Sequence, residues 1–254
     1  MPEIRTVHLF PEDPNQIAKR LQMQAQQDAR TNKLVPLYVT WTRDVPQIEA
    51  QAALQGVFDV VAASGQRREV LAFGPQQFGQ GEYSNSDWYV EEAYNRQHLR
   101  RDLGYGPQVV PSNIISLFHQ EPWQREPHWE VFILNRDLTS GEPDNNFVFG
   151  ETNISFPASV QSIRRLIVEV SDPVLRASMV RRLLRHEVGH MFGLTNRNFH
   201  VEEKLGKHCT NICTMRQGMS VPEWAQQAVQ EERLGIHFCG DCQTELSTSR
   251  FLRM

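Results

Sequence analysis

DPVLRASMVRRLLRHEVGHMFG, residues 172–193, is the stretch on which the reading of the fold turns. Asp172 is a short acceptor suited to cap a helix N-terminus, and Pro173 fits the first helical position, where its missing N–H costs nothing. Val180, Leu184, Val188 and Met191 recur every three or four residues and mark one buried stripe. Gly193 is placed to end the helix in a left-handed conformation. The spacing predicts a helix over about 173–192. On it, His186 and His190 lie one turn apart on the same face, with Glu187 about 100° round from the first.

This His-Glu-x-x-His pattern has a direct chemical reading. Two imidazoles at i and i+4 can reach one metal ion. Zinc bound there lowers the pKa of a water to about 7, and the Glu187 carboxylate is placed to act as general base on that water. The plain alternative is a chance occurrence on an ordinary amphipathic helix. Gly193 then follows in the H-x-x-G spacing that, in metzincins, lets the chain turn sharply back towards the metal. At the spacing of a third ligand stands Asn196, whose amide ligates zinc poorly. His200 and His208 lie further on. All three stay open as sources of the third ligand on spacing alone. We find no G-x-S-x-G elbow, no P-loop and no complete G-x-G-x-x-G to offer a competing chemistry.

All the cysteines fall near the end of the chain, as Cys209-x3-Cys213 and Cys239-x2-Cys242. Each pair has the spacing of a structural zinc site, and four thiolates would leave no coordination position open for catalysis. Unligated pairs, or disulfides in a secreted protein, are the alternatives.

Working outward, LVPLYVTW (34–41) and REVLAF (68–73) read as strands, with a helix over 46–64 between them. A helix is expected over 87–103, stopped by Gly104. QVVPSNIISLF (108–118) is read as holding a short strand, WEVFILNRDL (129–138) as a strong one, and TSGEPDNN (139–146) as turn. NFVFGETN (146–153) suits an edge strand, and SIRRLIVEV (162–170) a strand or a helix start. Residues 1–30 read as a polar arm or helix. The alternation predicts an α/β domain with a mostly parallel sheet.

The 254 residues suffice for a sizeable core, and a formal net charge of -4 argues against a nucleic-acid or anionic-membrane partner. No stretch approaches the roughly 20 apolar residues of a membrane span. MPEIRTVHLFPEDP has no apolar secretory core, so a cytoplasmic location is expected. His98, His119, His128 and His237 read as structural or surface residues.

HEVGHMFGL (186–194), His208-Cys209, Cys213-Thr-Met215 and CGDC (239–242) together resemble the archaemetzincins, zinc metallopeptidases of the metzincin clan. The resemblance covers about 180–242. It implies a metzincin-like fold over 31–254, with the active-site helix ending an upper part at 193 and a small zinc-bound C-terminal subdomain over 194–254. It further implies two zinc ions per chain. A catalytic zinc would sit on His186, His190 and His208, and a structural one on Cys209, Cys213, Cys239 and Cys242. Met215 would be the Met-turn residue beneath the catalytic metal. An edge strand such as 147–151 would pair with a peptide or protein substrate. The chain departs from the family pattern in three spacings, one of them a longer gap from Met215 to Cys239. Residues 194–207 intervene between Gly193 and His208 where the family has two residues, and residues 210–212 separate the first cysteines where it has four. A non-catalytic, zinc-stabilised binding protein with a degenerate site, or a different zinc hydrolase, are the other functions this pattern allows.

Overall fold

The computed structural model describes residues 34–75, 85–118, 128–141, 146–153, 158–195, 201–203 and 206–248. The predicted arm at 1–30 lies outside them. The chain forms two compact units that interleave in sequence. Residues 34–46 and 67–164 belong to the first, and 47–66 and 165–248 to the second.

In chain order the helices are α1 (Gln47–Ser64), α2 (Ser86–Arg96), α3 (Pro111–Phe118), α4 (Arg164–Glu169), α5 (Pro173–Met191), α6 (Val221–Leu234) and α7 (Gly240–Thr248). The strands are β1 (Leu37–Trp41), β2 (Val70–Gly74), β3 (Trp129–Leu134), β4 (Gly150–Asn153), β5 (Ala158–Ser162), β6 (Val201–Glu203) and β7 (Lys207–Cys209).

The first unit is a five-stranded sheet in the order β2-β1-β3-β5-β4. β1, β2, β3 and β5 run parallel, and β4 closes one edge antiparallel to β5. The central strand β3, WEVFIL, is buried at every position, as an uninterrupted apolar run in a parallel sheet should be. α2 and α3 pack a core with it in which Tyr89, Phe118 and Phe132 meet edge to face, with ring centroids 4.9 to 6.2 Å apart.

Three expectations shift here. Residues 108–118 carry the helix α3, not a strand. Pro111 presets the first turn, and Ile114, Ile115, Leu117 and Phe118 are buried, so packing overrides the β preference of the isoleucines. α2 stops at Arg96, where Gln97 turns extended and its side chain bonds the carbonyls of Leu99 and Gln108. Residues 162–170 resolve into the end of β5 and the short α4. β5 itself was not foreseen: its alanine, serines and glutamine carry no strand signal, yet every residue is buried.

The second unit is built on α1 and α5. Gly56 lets them touch, since a Cβ there would stand 2.4 Å from the Arg181 carbonyl oxygen. Arg176 pairs with Glu49, and Arg181 grips Asp59 with both 2.6 and 2.9 Å bonds. α6, capped by Ser220 and ended by left-handed Gly235, lays Trp224 against α5, where its indole N–H donates to the Met179 carbonyl at 3.2 Å. The hairpin β6–β7 and α7 complete the unit. No helix among the described residues is long and apolar enough to cross a membrane.

Candidate metal centre

α5 begins as its sequence predicts. Asp172 accepts from the Val174 N–H at 2.9 Å and Pro173 opens the first turn. It ends through Gly193 at φ 77°, whose N–H reaches the His190 carbonyl at 2.8 Å. The last turns are buried, including His186 and Glu187.

The His186 Nδ1–H donates to the Thr214 carbonyl at 2.8 Å, because a carbonyl can only accept. That fixes the tautomer and leaves Nε2 with a bare lone pair. His190 Nε2 lies 3.3 Å from it, and His190 also hydrogen-bonds the Leu194 backbone. His208 arrives on β7 with its ring 5.1 Å from each, stacked on His186 and edge-on to His190. The ligating atoms of all three lie within 4.8 Å of one another. Burial, and then the neighbouring imidazoles, hold His186 well below the usual histidine range and bring His190 down to about 3. Neutral rings whose lone pairs converge repel unless a cation lies among them, so the donor set fits a borderline metal such as zinc. Met215 lies beneath: a Cβ on Gly189 would meet its sulfur at 2.5 Å, so Gly189 is what makes room for it.

The four cysteines are free thiols whose sulfurs also lie within 4.8 Å of one another. β7 supplies Cys209; Cys239 precedes α7 and Cys242 lies in its first turn. The backbone N–H groups of Met215 and Cys239 donate to the Cys213 sulfur at 3.5 and 3.4 Å, and the Asn211 amide donates to Cys239. A hydrogen bond from Cys213 draws Cys239 down to about 6, while Cys213 itself is pushed up, first by its hydrogen bond to Cys209. Four thiols placed so closely would make a soft, closed cage for a divalent ion.

Of the three residues open as the third ligand, His208 joins the group; Asn196 and His200 lie outside the described residues. His119 lies outside them too. His237 is apart from the thiol cage, with its Nδ1 2.5 Å from Arg185. His128 is buried against Tyr38, their rings stacked at 4.3 Å, and His98 is exposed.

What the sequence reading missed is the layer behind the ligands. Arg182 is fully buried and donates to the carbonyls of Thr214 and Arg216 at 3.2 and 2.9 Å, with its guanidinium 4.0 Å over Trp224. Glu231 accepts from Arg182 at 2.7 Å and from the Thr214 hydroxyl at 2.6 Å. Arg182 stands four residues before His186, on the face of α5 that carries both histidines and away from the apolar stripe, so its burial is not legible from the spacing.

Over 101 residues, 40% of this chain and 50% of the relative, the sequence is 32% identical to an archaemetzincin of Archaeoglobus fulgidus. The chain is archaemetzincin-like. It spans about half the length of that curated relative. No family model matches the chain. The crystal structure of an archaemetzincin from Methanopyrus kandleri superposes with a TM-score of 0.58 at 20% identity, covering 87% of this chain and 97% of that one. The likeness shows that the fold of this archaemetzincin-like chain is the one expected. The archaemetzincin of Archaeoglobus fulgidus complexed with malonate superposes at 0.49, with 18% identity over 83% of this chain and 99% of that one.

Proposed function

We propose that this chain is a zinc-dependent peptidase in which His186, His190 and His208 hold a catalytic zinc and Glu187 is the general base. The observation that carries the reading is the convergence of three imidazoles at the end of α5, those of His186 and His208 buried and that of His190 half-buried, where the helix also bears Glu187. Zinc bound there would polarise the scissile carbonyl and make water nucleophilic near neutral pH. The chain's own residues supply the remainder. Thr214 holds the His186 ring in the tautomer that ligates. Glu187 takes the proton of the attacking water and returns it to the departing amine, so no covalent bond to the protein is made or broken. Met215 fills the space under the imidazoles, where Gly189 admits it. Cys209, Cys213, Cys239 and Cys242 would hold a second, structural zinc, for which four thiolates leave no open position. Thiols gathered for a metal and not paired as disulfides support a cytoplasmic setting.

Glu187→Gln is the direct test. Peptide hydrolysis should vanish while zinc content stays near two per chain; a variant that hydrolyses at the wild-type rate would remove Glu187 from the chemistry.

A further inference from the structure

Thr195 is the sole residue other than glycine with a positive φ among the described residues, at 70°. A β-branched side chain is poorly tolerated in that left-handed region, and such strain persists only where surrounding contacts over-determine it. Thr195 is buried, and the contacts are specific. Its hydroxyl oxygen lies 2.6 Å from the Lys207 carbonyl and 2.5 Å from that of Leu194, so its one proton is shared between them, and its N–H donates to the Glu245 carboxylate on α7 at 2.9 Å.

The position of those bonds is what matters. Thr195 is the second residue after Gly193, where the chain leaves α5. Lys207 is the residue immediately before His208. The two residues that flank 196–206 in sequence are therefore tied by one hydroxyl. On its other side, β7 is fixed by its ladder to β6, in which Glu202 stands directly opposite His208. The next residue, Cys209, is held as well, its N–H donating to the Met215 carbonyl at 2.9 Å, and the bond to Thr195 is the attachment on the side of α5.

Resting on the reading of a zinc site at His186, His190 and His208, we propose that Thr195 is a positioning residue: its hydroxyl ties the chain just beyond α5 to the residue before His208 and so delivers His208 to the metal. A long connection between two ligands would otherwise leave the third imidazole free to sample other places, which lowers affinity by the fraction of time it is absent. The strained backbone aims the hydroxyl at the Lys207 carbonyl, and the Glu245 bond keeps it there.

The test uses the full chain loaded with cobalt(II). Cobalt in a four-thiolate cage absorbs strongly in the near ultraviolet by sulfur-to-metal charge transfer, whereas cobalt on imidazoles gives weaker visible bands, so the two sites are read separately. Thr195→Val removes the hydroxyl at nearly constant shape. Thr195→Gly removes it while relieving the backbone. Both should keep the thiolate absorption and lose about 10- to 100-fold in zinc affinity at the imidazole site, with its visible bands weakened. Thr195→Ser, which keeps the hydroxyl, should restore the affinity. Unchanged imidazole-site affinity in Thr195→Val and Thr195→Gly would overturn the proposal. So would loss of both metals together in Thr195→Gly, which would mark a general structural role. A wild-type protein showing thiolate bands and no imidazole-site bands would overturn the zinc-peptidase reading itself, and this inference with it.

Discussion

At the scale of single residues, the site depends on one buried carboxylate as much as on its ligands. Glu231 is 1% exposed and faces Arg182 and Arg185, whose side chains are fully buried. Arg185 also has Asp59 at 3.5 Å, but Arg182 relies on Glu231, and a guanidinium without a counter-charge is costly in a low-dielectric interior. Glu231→Gln should therefore cost about 3–5 kcal/mol, the range for breaking a buried pair from one side. Because Glu231 also holds the Thr214 hydroxyl, and the Thr214 carbonyl sets the His186 tautomer, the same variant should release imidazole-site zinc to a chelator sooner than wild type. Urea unfolding measures the first effect and zinc release to a colorimetric chelator the second. A variant as stable as wild type would mean that the buried arginines find their balance elsewhere.

At the scale of elements, the contact between α1 and α5 decides how the helix of the candidate metal site is held. Gly56 on α1 leaves no room for a methyl group, because the atom it would strike is backbone: the Arg181 carbonyl oxygen, with the Leu184 Cβ 2.9 Å away. Gly56→Ala should push the helices apart and cost about 1–3 kcal/mol, visible as a lower thermal midpoint. An unshifted midpoint would show that α1 can slide without penalty. Elements differ sharply in how far the sequence announces them. α5 was legible end to end because cap, proline, stripe and glycine agree. β3 was legible because a run of apolar residues has few other uses. α3 was not, since PSNIISLF holds β-branched residues whose burial in a helix only the tertiary core explains. β5 was not, since ASVQS pairs through backbone and its polar side chains bond locally, as Gln161 does with Ser159. α6 and α7 carry ordinary helical patterns that went unread beside the cysteine motif. For the site, His186, Glu187 and His190 were plain from spacing. His208 could be chosen over Asn196 and His200 only by its His-Cys adjacency, and Arg182, Thr195 and Glu231 needed coordinates.

At the scale of the whole molecule, the clustered histidines shape the response to pH. In the metal-free protein, burial keeps His186 and His190 neutral, His190 down to about 3, whereas in the unfolded chain both titrate near 6.5. Between those values the unfolded state binds more protons, so stability must fall as the pH is lowered through that window and level off above about 7. Urea midpoints of the metal-free protein at pH 7.5 and pH 5 check this; a higher midpoint at pH 5 would contradict the burial of neutral rings. The interleaving of the two units carries a consequence for synthesis. α1 emerges from the ribosome more than a hundred residues before α5, the helix it must embrace, since 47–66 and 165–248 belong together. The nascent α1 therefore waits, its apolar face uncovered, until α5 has been translated. By the same logic, a fragment beginning at residue 165 would carry every proposed zinc ligand yet lack the helix that braces them, and trimming the gene to its motif would forfeit what holds the motif in place.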